Sequence, residues 1–247
     1  MDVLTIAAVT IAFLAAGVVK GVIGVGLPLT AIAVLGNVMS LRVAIPLLVI
    51  PVMITNVWQA MQGTQFGLLF RRFLTMNVGS CIGLWFGTRL LYAIDDARPF
   101  AVVLGLMVCA YAAMNLSALK IRIGTRYEPL ISPVLGLASG VLGGVTGSIG
   151  VPMIVYLQAL GLNKEDFVQA INFTFFAASL VWVAALINEG ALDVRTAVVS
   201  SAAVIPAVVG MGAGRMVRER ISQQRFRIFV FGFLIVTGVS LIAKAVL

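Results

Sequence analysis

Two segments of this sequence combine closely spaced glycines with a closing proline, and these residue types suit the binding of a small anion. The first, from Gly17 to Pro28, is GVVKGVIGVGLP, and the second, from Gly136 to Pro152, is GLASGVLGGVTGSIGVP. A proline that opens a helix leaves the neighbouring N–H groups unpaired at the positive end of the helix dipole. Glycines let the backbone turn and bring further N–H groups toward a ligand. Each segment is therefore predicted to form an anion site from main-chain donors.

The polar side chains in and near these segments complete the predicted site. A lysine or an unpaired amide inside a membrane is energetically unfavourable, so its presence indicates a functional role. Hydroxyl groups can donate hydrogen bonds to the oxygens of an oxyanion. The predicted substrate-binding residues are Lys20, Gly24, Gly26, Pro28, Asn56, Gly143, Gly144, Thr146, Gly147, Ser148, Gly150, Pro152, Gln169 and Asn172. Two alternatives stay open: Lys20 can reach an interface with its long side chain, and the amides can join helices.

The remaining glycines of the two segments fit a different pattern. Gly17 and Gly21, like Gly136 and Gly140, are four residues apart and lie on one face of a helix, which is typical of close helix packing in membranes. The glycines nearer each proline are too dense for a continuous helix. We therefore predict that the helix is interrupted there.

The composition places these segments in a membrane protein. Of the 247 residues, 61% are hydrophobic and 11% are charged, and the mean hydropathy is +1.12. A soluble domain carries about 25% charged residues. The apolar residues come in runs close to the ~20 that cross a bilayer as a helix. The net charge of +8 comes from Lys and Arg scattered among short loops, so it indicates membrane orientation and not nucleic-acid binding.

The residue types also argue against an enzyme. The sequence has no histidine, and its two cysteines have no metal-ligand spacing. All nine acidic residues lie in or next to predicted loops, so no catalytic or ion-coupling carboxylate is expected within the membrane. We therefore predict no catalysis, no metal and no cofactor. An anion leaving a cell that is negative inside gains about 2.3 kcal/mol per charge per 100 mV, and we therefore hypothesise that export can proceed without a coupling ion.

The chain divides into two related halves, residues 1–119 and 130–247, with a polar linker at 120–129. The predicted apolar runs are 3–19, 28–39, 41–61, 67–92 and 98–119, then 131–143, 151–161, 166–187, 194–215 and 226–246. At a shift of 127 residues, four glycines of the first half fall on glycines of the second. These pairs are Gly63 and Gly190, Gly83 and Gly210, Gly87 and Gly214, and Gly105 and Gly232. The repeat predicts an all-α polytopic protein built by duplication.

The basic residues favour one orientation of the two halves. If each glycine segment forms a re-entrant hairpin, the halves are inverted, both termini lie outside, and eleven Lys and Arg residues face five across the membrane. If each segment crosses as one helix, the halves are parallel and the split is nine against seven. The positive-inside rule favours the stronger asymmetry. We therefore predict inverted repeats, with the two glycine segments meeting near the bilayer midplane.

The chain resembles the TauE/SafE sulfite exporter-like permease family. The resemblance rests on the two glycine segments that each end in Gly-x-Pro, on Asn56, and on the stretch NKEDFVQAIN that ends at Asn172. It implies a multi-pass carrier of the bacterial inner membrane that moves sulfite, sulfoacetate or another organosulfonate. The open alternatives are an anion channel of the same architecture and a membrane assembly factor that transports nothing. The compact size allows a homodimer without requiring one.

Overall fold

Helices make up the regular structure of the chain. The computed structural model describes residues 3–61, 65–117, 122–220 and 223–246, and within these ranges every regular element is helical. The α-helices are α1 (Val3–Ile23), α2 (Leu27–Val38), α3 (Leu41–Ala60), α4 (Phe66–Arg72), α5 (Leu74–Ala93), α6 (Arg98–Leu116), α7 (Glu128–Thr146), α8 (Gly150–Ala159), α9 (Lys164–Asn188), α10 (Val194–Ala202), α11 (Val204–Arg220) and α12 (Gln223–Val246). A short 3₁₀ turn, Thr125–Tyr127, precedes α7. The predicted all-α fold is confirmed.

Seven stretches of the described chain are long and apolar enough to cross a membrane. They are α1, α3, α6, α7, α9, α12 and the continuous pair of α10 and α11. The prediction of a multi-pass membrane protein is confirmed. Helices α2 and α8 have only 12 and 10 residues, too few to cross the ~30 Å hydrocarbon core. Each of these short helices follows a glycine segment.

Glycines bring α1 against α11, and α5 against α7, at backbone contact. A Cβ built on Gly17 would lie 2.2 Å from the Ala207 carbonyl oxygen, and one on Gly21 would lie 2.3 Å from that of Met211. The contacts advance by four residues in the same direction on both helices, so α1 and α11 run parallel. Gly136 and Gly140 contact α5 in the same way, at Met76 and Ser80. The prediction of close packing at these four glycines is confirmed.

Helices α6 and α12 pack against each other in opposite directions. On α6, Gly105 lies against Ile242 of α12, whereas Cys109 lies 3.8 Å from the Ile235 carbonyl oxygen. Two residues further along α6, the ring of Tyr111 contacts the ring of Phe231 on α12, with centroids 5.7 Å apart. Residue numbers rise along α6 as they fall along α12. The two helices are therefore antiparallel.

The glycine segments are more helical than the sequence indicated. Helix α1 continues to Ile23 and α7 continues to Thr146, and Gly143 and Gly144 are helical residues. The prediction that these two glycines are too dense for a helix is wrong, because close neighbours stabilise a helix there despite the poor propensity of glycine. The interruptions are short: residues 24–26, here called the first connection, and residues 147–149, called the second connection.

Candidate functional site

The first connection turns the chain with two glycines in the left-handed region. Gly24 has a φ of 92° and Gly26 a φ of 103°, conformations that glycine adopts without steric penalty. Gly26 precedes the first residue of α2, and its carbonyl accepts the first helical bond, from the Thr30 N–H at 3.0 Å. Pro28 occupies the first turn, and no side chain caps the helix. The start of α2 is buried, so its free N–H groups face the protein interior.

A buried lysine lies on the last turn of α1, just before this connection. Lys20 is 1% exposed, and its ammonium donates to the Thr55 hydroxyl at 3.2 Å and to the amide oxygen of Asn56. The Thr55 hydroxyl in turn donates to the Pro51 carbonyl at 2.7 Å. The amide nitrogen of Asn56 is buried and has no hydrogen-bond partner. Lys20, Thr55 and Asn56, here called the lysine cluster, therefore present more N–H donors than acceptors.

No carboxylate neutralises this lysine in the described part of the chain. The ion pairs found there join Arg72 to Glu128, Arg89 to Glu189 and Arg98 to Asp96. Lys20 has only neutral oxygen partners. A buried charge without a counter-ion is unfavourable, and a bound anion is the group that would compensate it.

Helix α9 carries the other two amides that the sequence assigned to the site. The Asn172 amide nitrogen donates to the Val168 carbonyl at 2.7 Å and to the Gly24 carbonyl at 3.4 Å, so it ties α9 to the first connection. Gln169 donates to the Ala60 carbonyl at 3.2 Å and accepts from the Gln65 N–H at 3.1 Å. Both polar groups of Gln169 are occupied by backbone. Its geometry is that of a residue that joins α9 to the end of α3.

The second connection contains a hydroxyl group that can bind a ligand, whereas the group beside the first connection is an ammonium. Gly147 has a φ of 76°. The Thr146 hydroxyl donates to the Leu142 carbonyl at 2.5 Å and accepts from the Ser148 N–H at 3.3 Å, so it is occupied. The Ser148 hydroxyl is buried and has no partner. Of the two predicted hydroxyls, the one on Ser148 is available to a ligand.

The other predicted residues of the second segment are accounted for by packing. A Cβ on Gly144 would lie 2.4 Å from the Thr88 nitrogen on α5, and one on Gly143 would lie 2.5 Å from the Ile149 side chain. A Cβ on Gly150, the first residue of α8, would lie 2.8 Å from the Phe175 ring. Pro152 is half-buried in the first turn of α8. These glycines are needed for close contacts whether or not a ligand binds.

The two connections lie at different levels of the molecule. Gly147 packs against Ile45 on α3 and against Ile32, which is in the middle of α2. Ile32 is six residues beyond Gly26, which corresponds to roughly 9 Å of helix rise. Gly147 therefore lies beside the middle of α2, whereas Gly26 lies at its start. That the two segments meet near the bilayer midplane stays a prediction. The structure thus gathers Lys20, Gly24, Asn56 and Asn172 at one connection and Gly147 and Ser148 at the other.

Two site residues were missed in the sequence. Thr55 accepts from Lys20, and Thr30, at the end of the first turn of α2, is buried with an unpartnered hydroxyl. Both are short polar residues in apolar runs, and Thr55 is adjacent to Asn56. The sequence does not reveal which of the buried hydroxyls lack partners, because this depends on the packing of other helices.

A separate surface cavity of about 560 Å³ lies where α4 and α5 meet α7. It is lined by Arg72, Thr75, Glu128, Pro129 and Ser132. Arg72 donates to Glu128 through two nitrogens, at 2.9 and 2.6 Å, and this pairing raises the pKa of Arg72. Because the guanidinium is already neutralised, the cavity is a poor anion site. The ion pair instead joins the first half to the second.

The comparisons with known proteins agree with this architecture. No curated protein and no solved structure matches the chain. The family model described as sulfite exporter TauE/SafE matches residues 9–241. That match spans nearly the whole sequence, so the chain belongs to the TauE/SafE sulfite exporter family.

Proposed function

We propose that this membrane protein is a secondary carrier that exports or permeates a small sulfur-containing anion, such as sulfite, sulfoacetate or another organosulfonate. The family supplies the general class, which is membrane transport of sulfite or a related anion. The observation that carries the proposal is the lysine cluster at the first connection. Lys20 is buried among neutral acceptors, and the Asn56 amide nitrogen beside it has no partner.

The donors near the first connection are of the kind that oxyanions require. The ammonium of Lys20 uses two of its three N–H groups on Thr55 and Asn56, and both N–H groups of the Asn56 amide are free. The uncapped start of α2 adds main-chain donors and the positive end of a helix dipole. A sulfite or sulfonate group has three oxygens that can accept these bonds. Substrate binding would then give hydrogen-bond partners to polar groups that have none within the protein.

We further infer that the two halves are inverted repeats. The fourth and fifth predicted runs of each half contain α5 and α6 in the first half and α11 and α12 in the second, joined by short connections. If the halves were parallel copies, α6 and α12 would run the same way. Their antiparallel contacts, Gly105 with Ile242 and Cys109 with Ile235, support inversion. In an inverted arrangement α2 and α8 are the returning limbs of re-entrant hairpins.

Inversion gives the carrier a route to alternating access. The first helix of each half packs on the fourth run of the other half, as α1 does with α11 and α7 with α5. Such glycine-tight pairs would move as rigid units, and rocking of one pair against the other would expose a site between them to each face in turn. The offset second connection, with Ser148, would then lie on the route between the two faces.

A titration of the purified protein tests this proposal. Calorimetry would be performed with sulfite, sulfate, thiosulfate, sulfoacetate, taurine and acetate. We expect saturable binding of at least one sulfur anion, weakened at least about tenfold in Asn56→Leu, since hydrogen bonds to charged groups contribute about 1.5–3 kcal/mol. Asn115→Leu, which removes an amide from α6, is the matched control and should bind as the wild type does. Wild-type protein that binds none of these anions would refute the proposal.

A further inference from the structure

We infer that this carrier selects its substrate by net charge and accepts sulfur oxyanions that bear one negative charge in preference to those that bear two. The inference rests on the proposed function, because it concerns the same anion site. It separates substrates that the family resemblance groups together. Hydrogen sulfite and simple sulfonates carry one charge, whereas sulfoacetate and sulfate carry two.

The first step is the charge at the site. Lys20 is the basic residue of the cluster, and its neighbours Thr55 and Asn56 are neutral. Asn172, which contacts the first connection, is also neutral. Among the buried polar side chains of the described residues, Lys20 is the basic one, and the others bear neutral hydroxyl or amide groups. Lys20 is therefore the one side chain of the lysine cluster that can carry a positive charge.

The second step is the environment of that charge. Lys20 is almost completely buried, and the residues around it on α2 and α3 are buried apolar side chains. In such surroundings an uncompensated charge is unfavourable by several kcal/mol. One negative charge on the substrate would neutralise the site. A second negative charge would remain unpaired, and a neutral ligand would leave the ammonium unpaired.

The third step is the number of donors. The third N–H of Lys20 and the two N–H groups of the Asn56 amide amount to about three free donors on side chains. This number suits the three oxygens of one sulfonate or sulfite group. A second anionic group on the same molecule would find no further side-chain cation among these residues. Charge and hydrogen bonding thus favour the same class of ligand.

A series of three ligands, each with a sulfonyl sulfur on a two-carbon unit, tests the inference. Ethanesulfonate carries one charge, ethane-1,2-disulfonate carries two, and ethyl methyl sulfone carries none. Calorimetric titration of the wild-type protein should show ethanesulfonate binding at least tenfold more tightly than either of the others. Equal binding of the mono- and disulfonate would overturn the inference and leave the proposed function standing. Failure of every anion to bind would instead refute the proposed function itself.

Variants of the lysine cluster provide the second arm. Lys20→Gln should weaken ethanesulfonate binding at least tenfold and leave binding of the neutral sulfone unchanged or improved, while Lys20→Arg should retain the preference for one charge. Asn56→Asp places a carboxylate beside the ammonium and should abolish anion binding without removing the lysine. Lys244→Gln, which removes a lysine bonded to the Asn37 carbonyl, is the control for total charge. If Lys20→Gln fails to fold, ethanesulfonate binding by Asn56→Asp and the three-ligand series on the wild-type protein still test the inference. Unchanged ethanesulfonate binding in Lys20→Gln or in Asn56→Asp would contradict the inference.

Discussion

Gly210 and Gly212 lie two residues apart on α11, and we expect their replacement by alanine to change the stability of the protein in opposite directions. Gly210 faces α1, and a Cβ there would lie 2.2 Å from the Leu14 carbonyl oxygen. Gly212 is exposed, and a Cβ there would meet no atom within 4 Å. Both residues are helical. Replacement of each by alanine therefore isolates the effect of helix contact from that of helix propensity.

The magnitude follows from the distances. A carbon atom and a carbonyl oxygen approach to about 3.3 Å at the closest ordinary contact, so Gly210→Ala must separate α1 from α11 by about 1 Å. The separation also loosens the contacts at Gly17 and Gly21, which face the same helix. Overpacking of this kind destabilises proteins by about 1–3 kcal/mol. Gly212→Ala should instead stabilise the helix by up to about 1 kcal/mol, because alanine has the higher helix propensity.

Unfolding in mixed micelles titrated with a denaturing detergent and followed by tryptophan fluorescence would measure both changes. We expect the unfolding midpoint of Gly210→Ala to fall below that of the wild type and the midpoint of Gly212→Ala to equal or exceed it. Equal effects of the two substitutions would refute the close contact of α11 with α1 at Gly210. Because this packing positions Lys20, loss of stability in Gly210→Ala should be accompanied by weaker anion binding.

Three further predictions test other parts of the account. In a Cys81→Ser background, Cys109 should form a disulfide with Gly238→Cys, and Gly105→Cys should form one with Ile242→Cys. Mass spectrometry would detect both disulfides. Formation of only one would contradict the antiparallel packing of α6 on α12. Gly147→Ala should lower the thermal midpoint more than Gly161→Ala does. Both glycines have positive φ, but a Cβ on Gly147 would lie 2.8 Å from the Ile45 side chain, whereas one on Gly161 would meet no atom within 4 Å. Similar losses in the two variants would refute the contact of Gly147 with Ile45. The Asp193 carboxylate accepts from Thr196 at the start of α10, which lowers the pKa of Asp193. Its contribution to stability is therefore present above the ordinary aspartate pKa of about 4 and lost as the pH falls further. The thermal midpoint of Asp193→Asn should depend less on pH in this range than that of the wild type. Identical pH profiles of the two proteins would contradict the role of Asp193 at the start of α10.

The sequence was sufficient to predict the fold class because that class depends on local composition. Runs of apolar residues and the spacing of Gly17 with Gly21 report directly on spanning helices and their contact faces. Composition and spacing do not predict that the two helix interruptions are limited to residues 24–26 and 147–149. Gly143 and Gly144 have poor helix propensity, yet both are helical, with Ile149 close to Gly143 and α5 close to Gly144.

The candidate site was predictable in its residue types and less so in its geometry. Lys20 and Asn56 stand out because polar residues are rare in apolar runs, and the structure brings them into contact although they are 36 residues apart. The occupied amide of Gln169 and the offset of the two connections depend on how α2, α3 and α9 pack. That packing is set by many apolar contacts without a sequence signature, and so Thr30 and Thr55 were also missed.

Counterflow in proteoliposomes tests whether the chain carries a small sulfur anion across the membrane. Vesicles containing the purified protein would be loaded with unlabelled sulfite and diluted into a trace of labelled sulfite. We expect saturable accumulation of label, accelerated by internal sulfite and reduced in Asn56→Leu. Flux that neither saturates nor responds to internal sulfite would indicate a channel, and the absence of flux above protein-free vesicles would contradict the claim of sulfite transport.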